Sequence, residues 1–393
     1  MILGHKIRLV PTKAQEDYFR RACGTARYTY NEALKMWKEE YAAGSKPNGR
    51  ELKKKFNATR RELIPWSYNV HRDCTSQPFN DLQEAFNRFF KGISSYPVFK
   101  KKGKNKDSFY IANDKFKVNQ KRVRIPVLGW VKMRETLRWE GKLLYARVSR
   151  VADQWYLSVA VEVGDVIRPR IGEGVVGIDL GVKAAVTLSD GRSFEGPKAL
   201  RRYKGQLIRL HRQLSRKQKG SKNREKAKVR LARLYNKIAC ARLDFLHQTT
   251  SMLCRENKAI GMEDLNVAGM MRNHKLARSI SDVGMYEFKR QLTYKSKLYG
   301  TELVFADRFY PSSKRCSGCG FVLKELSLAT REWACSQCGE QHDRDVNAAK
   351  NLIPGANRES TPVEMEALAL LAVSGVKLPS RKQEFQQSAQ FST

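Results

Sequence analysis

Acidic side chains are scarce in this sequence: 39 Asp and Glu stand against 75 Lys and Arg, a formal net charge of +36 over 393 residues. A surface with that imbalance repels cationic partners and draws phosphate, releasing the counterions around it, so the expected partner is nucleic acid. Long apolar runs are lacking as well. The opening MILGHKIRLVPTKAQ has no apolar core of signal-peptide length, and the run ALALLAVSGV at 367–376 falls short of the roughly 20 residues a membrane helix needs. Nor do the cysteines form a disulfide framework. Cys23, Cys74, Cys240 and Cys254 are scattered singly, and the other four sit in close pairs, which in a chain without an export signal reads as metal binding. The protein is expected in the cytoplasm, with no membrane partner. No internal repeat is present.

What is there belongs to a globular protein. The hydrophobic fraction of 41% supports packed cores, and the length suits two or three domains. GHKIRLVPT reads as a strand ending at Pro11, followed by helical sequence with Tyr18, Ala22, Ala26, Tyr30, Leu34 and Trp37 near helical spacing. A second helical stretch includes NDLQEAFNRFFKGI, whose Phe86, Phe89 and Phe90 are expected in a core. From residue 96 the texture turns to short alternating runs, KRVRIPVLGWVKM and LYARVSRVADQWYLSVAVEV, which read as antiparallel strands. A small β domain interrupted by helices is expected, closing near IRPRIGEG (167–174).

Beyond that boundary, VVGIDLGVKAAVTLSDGRSF reads as two apolar strands joined by a short turn. Residues 198–237 carry sixteen Lys and Arg against the single acid Glu225, in a pattern that predicts a helical hairpin broken at KGSKN. KAIGMEDLNV returns to strand, SDVGMYEFKRQLTYKSKLYG is amphipathic and ends at Gly300, and TELVFADRF is strand-like. The stretch 354–393 loses periodicity, accumulates Ser, Gln and Lys, and is expected to be disordered.

Two local patterns carry chemistry. CSGC (Cys316, Cys319) and CSQC (Cys335, Cys338) form C-x2-C-x15-C-x2-C, which closes a tetrahedral Zn²⁺ shell of four thiolates with no position left for substrate. The expected site is a structural zinc ribbon, with His342 as a spare ligand. Carboxylates in apolar settings are the second pattern. Asp179 lies inside the apolar strand VVGIDLGV, and Glu263 ends the apolar strand AIGME, with Asp264 directed to the opposite face. If RDVNAAKNLI is a helix, Asp345 shares a face with Ala348 and Ala349, which let that helix press against a sheet, while Asp343 caps it. Carboxylates from separate segments suit two Mg²⁺ ions, with Mn²⁺ as an alternative, in phosphodiester cleavage.

GIDLGVKAAVTLSDG, GMEDLNVAGM, YPSSKRCSGCG and CSQCGEQHDRDVNAAKNL, in this order, resemble the RuvC-like nuclease half of the TnpB family of transposon proteins, relatives of type V CRISPR effectors. SYPVFKKKGKNKDSFYI extends the resemblance to roughly residues 1–353. It implies an α/β RNase H-like domain over 169–353 with Asp179, Glu263 and Asp345 as its catalytic, Mg²⁺-binding triad. Within that domain lie a basic helical segment at 198–250 and a zinc ribbon at 311–341. It implies a wedge-like β-barrel over 1–12 and 96–168, carrying a helical recognition insertion at 13–95. By the same resemblance the protein binds a transposon-derived guide RNA, recognises a short motif beside its DNA target, and cuts that target, leaving a 5′-phosphate and a 3′-hydroxyl. Organisation around one large RNA suits a monomer in a ribonucleoprotein, with the oligomeric state left open by the sequence. No His-rich second nuclease motif lies between Asp179 and Glu263. Lys100, Lys101, Lys102 and Lys104, beside aromatics, suit backbone contact, and Gln77 and Asn80 suit adenine edges. The alternatives are a nucleic-acid-binding regulator of transposition without cleavage and a strand-transferring transposase.

Overall fold

The computed structural model describes residues 1–164, 168–327 and 329–354; the expected disordered tail lies, from residue 355 on, outside the described residues. The chain divides into two compact units, one formed by 1–167 with 199–244, the other by 168–198 with the chain from 245 on.

The first unit is built on a seven-stranded sheet. Its strands are β1 (Ile2–Val10), β2 (Ser108–Ala112), β3 (Lys117–Asn119), β4 (Arg122–Ile125), β5 (Gly129–Met133), β6 (Lys142–Val151) and β7 (Gln154–Glu162). The order is β2-β6-β7-β1-β5-β4-β3, with every pair antiparallel. Among the described residues no ladder joins β2 to β3. β1 alternates as a strand with one covered face must: Leu3, His5, Ile7 and Leu9 are buried and their neighbours exposed.

Pro11 ends that strand, and Thr12 starts a helix by a reciprocal cap. Its hydroxyl accepts from the Gln15 amide at 3.3 Å, and the Gln15 side chain accepts from the Thr12 amide at 3.0 Å. The helices that follow are α1 (Lys13–Ala42), α2 (Gly49–Leu63) and α3 (Asp73–Phe90). They share a core in which Trp37 stacks on Phe86 at 4.2 Å between ring centroids, with Leu34, Leu52, Phe56 and Phe79 buried around them. Of the three phenylalanines expected inside, Phe86 is buried and Phe89 lies at the margin of this core. Phe90, the last residue of the helix, is exposed, while Tyr96 packs edge-on against Phe86 and Phe89 instead.

The basic segment folds into α4 (Ala199–Arg202), α5 (Lys204–Ser215) and α6 (Lys222–Glu256). A narrow seam of Leu207, Leu231, Leu234 and Ile238 holds α5 against α6. Arg233 Nε donates to Asp153 Oδ1 at 3.0 Å, in the turn between β6 and β7. α6 belongs with the first unit to Asp244 and with the second from Phe245.

The second unit is an α/β structure. Its five-stranded sheet runs β10 (Ser193–Phe194), β9 (Val186–Leu188), β8 (Gly174–Asp179), β11 (Asn257–Glu263), β12 (Glu302–Ala306). The first three strands pair antiparallel, while β8, β11 and β12 are parallel neighbours. The hairpin expected after residue 174 thus gains a third, two-residue strand. Helices α7 (Val267–Met270), α8 (Ala277–Val283) and α9 (Met285–Tyr299) precede β12, and α9 stops at Gly300 with φ 65°. Lys295 of α9 is buried, and its ammonium donates to the His247 carbonyl and to the Thr250 and Ser251 hydroxyls at 2.7–2.8 Å. Burial pushes that lysine down to about 8. A two-stranded sheet, β13 (Glu332–Ala334) with β14 (Gln341–Asp343), leads into α10 (Arg344–Asn351). Among the described residues no helix is long and apolar enough to cross a membrane.

Candidate active site and zinc centre

Asp179 is the last residue of β8, and Glu263 is the last of β11. The parallel ladder pairs Gly177 with Gly261 and Ile178 with Met262, so its next step sets Asp179 beside Glu263. Residues two apart on a strand share a face. The glycines and the acids therefore look one way, and buried Ile178 and Met262 look the other.

α10 lies on the glycine face. A Cβ built on Gly177 would stand 1.8 Å from the carbonyl oxygen of Ala349, and one on Gly261 would stand 1.8 Å from that of Leu352. Ala348 and Ala349 are buried in this contact, as their small size predicts. Asp343 caps the helix: its Oδ1 accepts from the amides of Asp345 at 3.0 Å and Val346 at 2.9 Å. That fixes the first turn, from which Asp345 projects.

Asp179 senses the other two carboxylates. Asp179 is pushed up to about 7, first by burial and then by the negative charges of Glu263 and Asp345, with Arg344 opposing. Glu263 accepts a hydrogen bond from the Ser312 hydroxyl, and Asp345 lies 3.5 Å from an Arg331 nitrogen. Asp264 turns away, as the strand alternation predicts, and pairs with Lys289 and, at 3.1 Å, with Arg308. An all-carboxylate cluster in which Asp179 is buried beside two further acids is a fit for hard divalent cations, which relieve that burden of negative charge through oxygen ligands. The acids are spaced more widely than the two described clusters whose ligand atoms all lie within 4.8 Å of one another, Cys316–Cys319–Cys335–Cys338 and Cys316–Glu340–His342.

The cysteine cluster fits zinc on distance. Cys316 and Cys338 sulfurs are 3.6 Å apart, and those of Cys319 and Cys335 are 3.5 Å apart. Sulfurs at the corners of a tetrahedron around Zn²⁺ are separated by about 3.8 Å. The two knuckles have one design. The Gly320 amide donates to the Cys316 carbonyl at 2.9 Å, and the Gly339 amide to the Cys335 carbonyl at 2.8 Å, with φ of 80° and 76° at the glycines. His342, the expected spare ligand, is buried with Nε2 3.0 Å from Cys316 Sγ.

Asn80 and lysines 101, 102 and 104 are exposed. Gln77 is half-buried and donates to Asp81 at 3.1 Å, and Lys100 holds its ammonium 3.6 Å above the Tyr30 ring. The sequence reading missed the glycine pair and Ser312. The glycines carried a signal, since each precedes its strand acid by two residues; Ser312 carried none beyond its nearness to the first knuckle.

A family described as "Probable transposase", the OrfB family of IS605 elements, matches residues 158–274, and a "Cas12f1-like, TNB domain" matches 286–352. A protein of Streptomyces pristinaespiralis is 37% identical over 362 residues, covering 88% of each chain. InsQ of Escherichia coli is 34% identical over 374 residues, covering 88% of this chain and 90% of its own. Both carry the name "Putative RNA-guided DNA endonuclease". The chain belongs to the TnpB family. In this TnpB-family chain the Cas12f1-like match takes in α9, the zinc knuckles and Asp345. A third match, described as a helix-turn-helix domain, covers 1–46, where this TnpB-family chain has β1 and one unbroken helix, α1. The fold is shared with a cryo-EM structure of a Cas12f1–sgRNA–target DNA complex, at TM-score 0.53 and 15% identity, over 89% of this chain and 84% of the other.

Proposed function

We propose that the protein is an RNA-guided DNA endonuclease whose RuvC-type, RNase H-like domain hydrolyses target DNA at Asp179, Glu263 and Asp345. One observation carries this reading: two acids at the ends of neighbouring parallel strands meet a third at the start of the helix laid across them. A nucleic-acid binder without cleavage has no use for three mutually repelling carboxylates. The triad would hold two Mg²⁺ ions, or Mn²⁺, which when bound supply an activated water and charge stabilisation for the leaving oxygen. Asp179 and Glu263, on strand ends, form the rigid side of the site, and the Asp343 cap aims Asp345 at them. The four cysteines hold a structural zinc with no coordination position left for substrate.

In this reading the strands of 1–12 and 96–168 form the wedge-like β-barrel, and 13–95 the recognition insertion. Gln77, Asn80, Lys100, Lys101, Lys102, Lys104 and the basic helices of 198–250 contact guide RNA or target DNA, in a monomeric ribonucleoprotein acting on DNA in the cytoplasm. The names of the relatives at 34% and 37% identity support the activity. The test is expression with the native flanking DNA, sequencing of copurified RNA, and cleavage assays with Mg²⁺. A single abundant RNA and guide-directed breaks are expected, lost in Asp179→Ala, Glu263→Ala and Asp345→Ala. Breaks unaffected by these substitutions overturn the reading, and joined-strand products would identify a transposase instead.

A further inference from the structure

The ribbon and the acid cluster are tied by side chains that belong to neither metal set. Ser312, in the segment between β12 and the first knuckle, is 3% exposed, and its hydroxyl donates to Glu263 Oε1. Its backbone carbonyl accepts from Asn351 Nδ2 at 2.9 Å and is also reached by Asn347 Nδ2 at 3.5 Å. The same two amides donate to the carbonyl of Arg315, just ahead of Cys316, at 2.7 Å from Asn347 and 2.6 Å from Asn351. Asn347 also accepts from the amide of Ser317, inside the knuckle, at 3.0 Å. Both asparagines are buried on α10, one turn apart, so they act as a two-pronged bracket on the helix whose first turn carries Asp345.

We propose that Ser312 is a positioning residue for Glu263, and that the Asn347–Asn351 bracket locks it in place against the first zinc knuckle. This rests on the nuclease reading above. A glutamate side chain at a strand end has three rotatable bonds and no intrinsic preference for the direction of a metal. The Ser312 hydroxyl fixes one of its oxygens and so limits the side chain's rotation, as outer-shell partners of metal ligands do. Ser312 is held at its amide, which donates to the Tyr310 carbonyl at 2.9 Å, and at its carbonyl, which is gripped from α10; α10 grips the knuckle through the same two side chains. A knuckle closed on zinc would therefore be felt at a distance: it would fix the Arg315 carbonyl and the Ser317 amide, from which the bracket sets Ser312, and Ser312 sets Glu263. The two halves of the site, Glu263 on its strand and Asp345 on its helix, are held in register by one set of bonds.

The experiment uses the purified ribonucleoprotein and reads Mn²⁺ affinity by electron paramagnetic resonance, zinc content by mass spectrometry, and cleavage as a function of divalent-metal concentration. Ser312→Ala is expected to keep its zinc and raise both the Mn²⁺ dissociation constant and the half-saturating metal concentration by about tenfold, the usual cost of losing an outer-shell partner. Ser312→Thr, which retains the hydroxyl, should restore both. In a Glu263→Gln background, Ser312→Ala should change Mn²⁺ affinity no further, since its effect passes through that carboxylate. Asn347→Ala should show the same metal shift and also release zinc faster to a chelator. Parent-like Mn²⁺ affinity in Ser312→Ala, or a lowered melting temperature with unshifted metal affinity, overturns the inference; so does an equal loss from Ser312→Ala in the Glu263→Gln background. Asp179→Ala runs alongside: if it still cleaves, the nuclease reading fails, whereas if it is dead and Ser312→Ala is parent-like, only the positioning role fails.

Discussion

Gly177 and Gly261 face each other across the ladder between two parallel strands, and each stands where any side chain would strike a backbone carbonyl, that of Ala349 in α10 or that of Leu352 at its C-cap. The contact brings α10 to backbone distance from the sheet, which is what allows an aspartate in its first turn to meet acids on strand ends.

Gly177→Ala and Gly261→Ala are therefore expected to displace α10, costing about 3 kcal/mol or more and abolishing cleavage, since the clash is with backbone. Gly4→Ala is the control: a Cβ there meets nothing within 4 Å, and its stability and cleavage should match the parent. Thermal denaturation and a cleavage assay on the three variants decide it; equal behaviour of Gly177→Ala and Gly4→Ala would refute the close-packing account.

The acids should separate by role. Asp179→Asn, Glu263→Gln and Asp345→Asn are expected to lower cleavage by roughly 10³-fold or more, several kcal/mol of transition-state stabilisation, while guide RNA still copurifies. Asp264→Asn, which loses only pairing to Lys289 and Arg308, should stay within a few-fold of the parent. Asp343→Ala loses a helix cap worth about 1 kcal/mol and loosens the turn that aims Asp345, so melting temperature and cleavage rate should both fall, the rate by less than in the triad variants.

Zinc removal should be felt in the fold before the chemistry. Chelation, or Cys335→Ser, is expected to unravel the ribbon, lower the melting temperature and stop cleavage, and added Mg²⁺ alone should not rescue the chelated protein. Rescue by Mg²⁺ without zinc would show that the ribbon is dispensable to the acid cluster.

Lys295 gives a pH signature distant from either metal centre in role. Below about 8 both the folded and the unfolded chain carry its proton, and the cost of burying the charge is present in full. Between about 8 and the ordinary lysine value the unfolded chain binds the proton and the folded chain does not, so stability from this group rises with pH and the cost is gone above that range. The stability of the parent relative to Lys295→Met should climb by up to about 3 kcal/mol between pH 7.5 and 10.5. Chemical denaturation across that range measures it, and a flat difference would mean that the ammonium is not desolvated.

Much of the site was legible because its chemistry leaves marks on sequence. Thiolates for one metal come in pairs on tight turns, and Asp179 and Glu263 announce themselves as charges in apolar strands. The helix of Asp345 was readable from Asp343 as its cap and from two small residues on one face. Ser312, Asn347 and Asn351 stayed hidden: a serine beside a cysteine knuckle and asparagines one helical turn apart have no pattern until the chain folds and shares out their hydrogen bonds. Phe90 was misplaced because helical periodicity tells which residues share a face but not where the covering element ends. Pairing order in the first unit was likewise out of reach, since alternation marks strands without naming their neighbours.

On the nuclease reading proposed above, α10 also sets when the acid triad is complete. The strands bearing Asp179 and Glu263 leave the ribosome first, and the third carboxylate follows only after the whole ribbon has been made. At ordinary translation speeds that interval is on the order of ten seconds, during which the nascent chain already has its basic helices and two of its acids. On that reading, a polypeptide that stalls or terminates in that window has its basic helices but lacks Asp345, and would leave DNA uncut.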